Sequence, residues 1–97
     1  VPTYLVLGHF TEQGVRNIKD SPKRAEAVRS SAKKLGITVK DMYWTMGQYD
    51  VAFIADSPDE ASMASLGLSI GALGNVRLQT LRAFSADEIG QILGRVG

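Results

Sequence analysis

Few side chains in this sequence have the chemistry to act on a ligand. His9 is the only histidine and closes an apolar stretch, Thr3 to Phe10. A lone imidazole can shuttle protons near neutral pH or give a metal one ligand; it can equally be an ordinary polar strand end. Asp50 follows Gly47-Gln48-Tyr49, between two runs of apolar, aromatic and β-branched residues. Its carboxylate could orient a ligand, or act as a general base if burial raised its pKa. The alternative is a turn-end Asp that holds backbone N–H groups or pairs with an arginine. His9 and Asp50 are therefore the candidate catalytic residues.

Arg77 and Arg82, with Arg16 upstream, offer guanidinium groups suited to carboxylate or phosphate. The competing role is ion pairing with Asp41, Asp50 or Glu12. Tyr43, Thr45, Asp50, Arg77 and Gln79 form the candidate ligand-binding set, expected to take a small anionic or aromatic molecule. Lys19, Lys23, Arg24, Arg29, Lys33 and Lys34 make a basic run without interleaved aromatics, which reads as a solvated helix face and not a nucleic-acid site. Gly71-Ala72-Leu73-Gly74-Asn75 lacks the lysine and the strand-to-helix setting of a phosphate loop.

Composition narrows the chemistry further. The chain has 97 residues, no cysteine and a formal net charge of +1. Disulfides, thiolate metal sites and cysteine nucleophiles are thereby excluded, and one histidine cannot build a multi-histidine metal site within a chain. No metal and no cofactor is expected. The small net charge gives no global attraction to nucleic acid. No apolar run approaches the ~20 residues that span a bilayer, and the chain opens without a signal-peptide pattern. A cytoplasmic protein with no membrane contact is the expectation.

The elements that position these groups follow from periodicity and punctuation. Thr3 to Phe10 is apolar on both faces, as in a central strand. Thr11 to Gly14 reads as a turn, and Val15 to Lys19 as a short helical turn. Ser21-Pro22 predicts a helix with Ser as N-cap, running to about Leu35 and stopped by Gly36. Ile37 to Met46 and Tyr49 to Ala55 predict a tight hairpin turning at Gly47-Gln48, where Gly allows φ > 0. Ser57-Pro58-Asp59-Glu60 predicts a capping box with Ser57 as the cap. The helix it opens is rich in small residues and ends near Ile70 or Gly71. Val76 to Phe84 predicts the last strand, and Ser85-Ala86-Asp87-Glu88 a second capping box before a helix with Ile89, Ile92, Leu93 and Val96 on one face.

The order β-α-β-β-α-β plus a terminal helix predicts one α+β domain over 1–97. It is ferredoxin-like: an antiparallel sheet with its helices on one face and its first and third strands central. With a two-residue turn, Met42, Trp44, Met46, Tyr49, Val51 and Phe53 point to the helices, which places Trp44 and Tyr49 in the core. The open face then carries Tyr43, Thr45, Asp50, Ala52, Ile54, Gln79 and Leu81. One parity of the first strand joins it, and the case that matters is Thr3, Leu5, Leu7 and His9. Its centre is too apolar to be left in water, so a homo-oligomer, a dimer or higher, is expected.

Four segments carry a resemblance over essentially the whole chain. They are Pro2-Thr3-Tyr4; Asn17 through Arg24; Tyr43 through Asp50, with Gly47-Gln48-Tyr49-Asp50 as a Gly-x-Tyr-Asp signature; and Gly74 to Arg77 with Thr80 to Phe84. On these the chain resembles the GYD-domain family of small bacterial and archaeal proteins. The resemblance implies a ferredoxin-like fold akin to the dimeric α/β-barrel proteins, but no particular reaction. Three functions are open: an oligomeric small-molecule binding or regulatory domain, a cofactor-independent oxygenase- or isomerase-like enzyme, and a structural interaction module. The scarcity of convergent titratable groups favours binding.

Overall fold

The computed structural model describes residues 1–97. β1 (Thr3–Phe10), β2 (Thr38–Trp44), β3 (Val51–Asp56) and β4 (Val76–Ala83) form one sheet in the order β2-β3-β1-β4. All pairs are antiparallel, with the first and third strands central as the ferredoxin-like topology requires. The helices are α1 (Glu12–Arg16), α2 (Ser21–Lys34), α3 (Glu60–Ala72) and α4 (Ala86–Leu93), with a 3-10 turn at Ile18–Asp20.

Alternation along the strands builds the core. Tyr4 and Val6 of β1 face the helices opposite Ala55 and Phe53 of β3. Met63, Leu66 and Ile70, three or four residues apart on α3, close over them with Ile37 and Ala32. Each large apolar side chain so buried contributes about 1.5–3 kcal/mol. β2 carries a bulge at Lys40: the register passes from Val39–Ala55 to Asp41–Ile54. β4, the other edge, runs in unbroken register with β1 from Thr3–Ala83 to Phe10–Val76.

Several local expectations need correction. The hairpin is not a two-residue turn: its strands stop at Trp44 and resume at Val51, leaving residues 45–50 as the loop. Gly47 has the expected positive φ, +102°. The Thr45 N–H donates to the Asp50 carbonyl at 2.8 Å, while the Asp50 N–H donates to the Gly8 carbonyl, also at 2.8 Å. The loop thus leans toward the end of β1 instead of extending the ladder. Trp44 still pairs with Val51 and Met42 with Phe53, but Met46 is 98% exposed and Tyr49 turns to the open face.

Trp44 lies on the helix side but is half exposed, and its indole N–H donates to the Ser21 hydroxyl at 2.9 Å. Ser21 is therefore not a cap. Asp20 stands at the N-cap of α2 without a side-chain bond, and Ser21 is buried under the tryptophan. In α3 the cap is Asp59, whose carboxylate accepts from the Ser62 N–H at 2.7 Å. That bond holds its pKa below the usual 3.8. Ser57 is fully buried and donates to the Asp59 carbonyl. The sequence from Thr11 to Lys19 also folds differently: Thr11 caps a helical turn that starts at Glu12. Gly14 is needed there because a side chain would run into the Asn75 carbonyl.

The capping box of α4 forms as expected, Ser85 bonding the Glu88 N–H and Glu88 the Ser85 N–H. Yet no residue of α4 is buried. Ile89, Ile92, Leu93 and Val96, with Phe84 before them, face no other part of the chain closely enough to be covered.

Candidate functional site on the open sheet face

Strand register arranges the uncovered face of the sheet in rows. The base row is Thr38, Asp56, Thr3 and Ala83, where the Thr3 hydroxyl donates to Asp56 at 2.7 Å and Lys40 sits 3.7 Å from the same carboxylate. Above it run Asp41, Ile54, Leu5 and Leu81, then Tyr43, Ala52, Leu7 and Gln79. Leu5, Leu7, Ala52 and Ile54 are only half-buried, and Leu81 is 38% exposed. The middle of the face is apolar and wet.

The top of the face is polar. His9 pairs with Arg77 in the β1–β4 register. The His9 and Tyr49 rings stack with centroids 4.7 Å apart and planes tilted by 33°. The Tyr49 hydroxyl donates to Gln79 Oε1 at 2.9 Å, which leaves the Gln79 amide NH₂ as a donor. Arg77 makes no ion pair. The Gln79 amide N–H and the His9 imidazole therefore meet beside the Tyr49 ring, with Arg77 the register partner of His9 on the edge strand, which suits a planar or anionic group.

Asp50 takes a positional role. Its Oδ2 accepts the Phe10 N–H at 2.9 Å, pinning the loop to the end of β1. Thr45 supports the same loop by donating its hydroxyl to the Tyr49 carbonyl at 2.6 Å. Tyr43 lies on edge strand β2, 57% exposed, and shares a row with Gln79 but is separated from it by β3 and β1. Three of the sequence candidates, His9, Arg77 and Gln79, are thus brought together; Asp50 and Thr45 hold the loop, and Tyr43 stands apart. Tyr49, assigned to the core from the sequence, is the added member of the cluster. Turn-forming Thr45 and Asp50 at the ends of the loop were the available signal that the turn was longer than two residues.

Arg82 belongs to the other face. Its guanidinium lies 4.6 Å from the Phe84 ring centroid and 5.8 Å from that of Tyr4, and it donates to the Glu88 carboxylate at 3.1 Å. Arg16 pairs with Glu12. No three His, Asp or Glu side chains gather at metal-binding distance, and no helix is long and apolar enough to cross a membrane.

Comparison with known proteins agrees with this architecture. The model of the GYD domain family matches residues 4–93. A Thermus thermophilus protein named glutamine synthetase and cystathionine beta-lyase binding protein is 27% identical over 90 residues, covering 92% of this chain and 95% of that protein. The crystal structure of TTHA0845 from Thermus thermophilus matches with a TM-score of 0.57 at 24% identity, over 89% of this chain and 96% of that one. That of the Mycobacterium tuberculosis leucine response regulatory protein LrpA gives 0.57 at 12% identity, over 88% of this chain and 51% of that one. At these identities the two structures show a shared fold.

Proposed function

The chain belongs to the GYD domain family, and from that premise we propose that it is a binding and regulatory domain working as a homo-oligomer. Two copies bring their open sheet faces together and enclose a small anionic or aromatic ligand at the polar row of His9, Tyr49, Arg77 and Gln79. The carrying observation is the uncovered apolar centre of that face, Leu5, Leu7, Ile54 and Leu81, directly beside unpaired donors. Covering it removes apolar area from water and also desolvates the donors, which strengthens their hold on an anion. Asp50 is engaged with the Phe10 N–H, so proton transfer by His9 and Asp50 is the weaker reading. We place the protein in the cytoplasm.

Native mass spectrometry of the purified protein tests this by reporting subunit count and co-purifying mass together. The expected result is a dimer or higher oligomer that Leu5→Arg converts to monomer; a wild-type monomer at micromolar concentration overturns it.

The name of the Thermus relative supports a second reading, in which the partner is a metabolic enzyme and the same face docks on it. Pull-down with purified glutamine synthetase separates the two. Binding lost in Leu5→Arg and Leu81→Arg favours enzyme docking on this face, whereas no binding leaves the small-ligand reading.

A further inference from the structure

We propose that the cleft between α2 and α3 is a second binding site, on the side of the sheet away from His9, and that it takes a small monocarboxylate with an apolar tail. It depends on neither the oligomer nor the ligand proposed for the open face.

The helix-side core closes at one end of the strands and opens at the other. Toward the base row, Tyr4, Ala55, Ala32, Met63 and Leu66 are at most 5% exposed. Toward the top, the strand ends Phe10, Val51 and Val76 stay half-buried, as does Val28 of α2. There the two helices turn Ala27, Ser31 and Ser69 toward the gap between them, side chains too short to bridge it. Two adjoining spaces result, with Arg24, Val28, Ile70 and Val76 in the walls of both. The outer one has a volume of about 280 Å³, close to the ~300 Å³ at which small-molecule pockets begin. The inner one, about 60 Å³, reaches down to Met42, Phe53 and Trp44. Apart from Arg24, its polar wall group is Ser21, whose hydroxyl is already engaged by the Trp44 indole N–H. Space walled in this way favours an apolar occupant over water.

The rim supplies donors and no acid. The Arg24 guanidinium donates to the carbonyls of Asn17 at 2.8 Å and Gly14 at 3.5 Å. Both partners are neutral, and Arg24 makes no ion pair. Two of its five N–H groups are thus used, and the rest stay free. Asn75 stands beside it, because Gly14 lies against the Asn75 carbonyl. The Asn75 side-chain oxygen accepts from Gln13 at 3.1 Å, which leaves its NH₂ as a donor. No Asp or Glu lines either space. A half-buried cation with neutral partners is the complement of a carboxylate, which it can hold through two parallel N–H bonds. The tail of such a ligand then lies over Val28, Leu73 and Val76 and enters the inner space.

The chain's own uncovered helix cannot fill this cleft. α4 leaves β4 at the base end, where Glu88 ties it to Arg82 at 3.1 Å. The cleft lies at the opposite end of that strand, 8 residues or about 27 Å away, and α4 is about 12 Å long. A helix from another protein, about 10–12 Å across, needs more room than the outer space offers.

Trp44 is the only tryptophan and borders the inner space, so its fluorescence reports on occupancy. Hexanoate is titrated into the full-length protein while this signal and the methyl NMR resonances are followed. The expected result is saturable binding with a Kd on the order of 1 mM, with shifts at Val28, Ile70 and Leu73 and none at Leu5, Leu7 or Ile54. Shifts confined to those open-face methyls assign hexanoate to the other face and overturn the proposal, as does no saturation at about ten times that concentration. Hexylamine, with the opposite charge on the same tail, should bind roughly tenfold more weakly or worse; equal binding overturns the proposal. Arg24→Gln should weaken hexanoate binding by a similar factor. Because Arg24 also holds the end of α1, Ser31→Leu is the second variant. It fills the outer space from an exposed position, so binding should fall roughly tenfold or more with an unchanged circular dichroism spectrum. Unchanged affinity in either folded variant overturns the proposal.

Discussion

The two faces of the sheet are made from the same strands by the same alternation, and they end in opposite states. On the helix side Tyr4, Val6, Phe53 and Ala55 are at most 5% exposed. One residue along, Leu5, Leu7 and Ile54 are half in water and Leu81 more so. Hydrophobicity does not distinguish the faces; the presence of a cover does. Apolar burial on one face holds the domain together, whereas on the other the apolar area stays exposed to water.

Phe53→Ala separates the faces most strongly. It should cost about 3–5 kcal/mol in urea unfolding, independent of protein concentration. Leu5→Ala, on the same sheet, should cost under about 1.5 kcal/mol at concentrations where the protein is monomeric, and more at concentrations where it associates. Equal, concentration-independent losses would break the comparison. Asp50→Ala sharpens it at the boundary between the faces. The Phe10 N–H loses a charged acceptor, for an expected loss of about 1–3 kcal/mol, and Tyr49 is released from the open face. The Gln79 side-chain amide resonance should move with it; an unmoved resonance would show that Asp50 does not position the cluster.

The smallest effect expected lies in α4. The Ser85 N–H, and then Arg82, hold the Glu88 carboxyl below its ordinary 4.5. A depressed carboxylate stabilises the folded form above its unfolded pKa and loses that contribution as pH falls through the folded one. Amide signals of Ser85 and Glu88 should therefore shift as pH drops below about 4.5, and Glu88→Gln should abolish that step while leaving core resonances unchanged.

Much of this was legible in the chain. Alternation and capping chemistry gave the order of elements, the central strands and the open face for Gln79, whereas the face of Leu5, Leu7 and His9 hung on a first strand apolar on both sides, whose parity alternation alone does not decide. What escaped was decided by tertiary contact. Gly47 announced a turn, but the Asp50 contacts to Gly8 and Phe10, forty residues distant in sequence, set the loop length and so moved Tyr49 across the sheet. Ser21 and Ser57 have the side chains of caps, yet burial under Trp44 and against the Asp59 carbonyl claimed them for other bonds. The periodicity of α4 announced an apolar stripe without saying that nothing in the same chain would cover it.

The bulge at Lys40 bears on how large an assembly can grow. It breaks the regular ladder on the β2 edge, where Lys40 also carries a charge, so an incoming strand finds no matching template there. β4 keeps a regular edge. A molecule with one receptive edge and one blocked edge can pair edge to edge through β4 on both copies, but cannot add a third, so strand addition terminates at two and cannot propagate into a fibre.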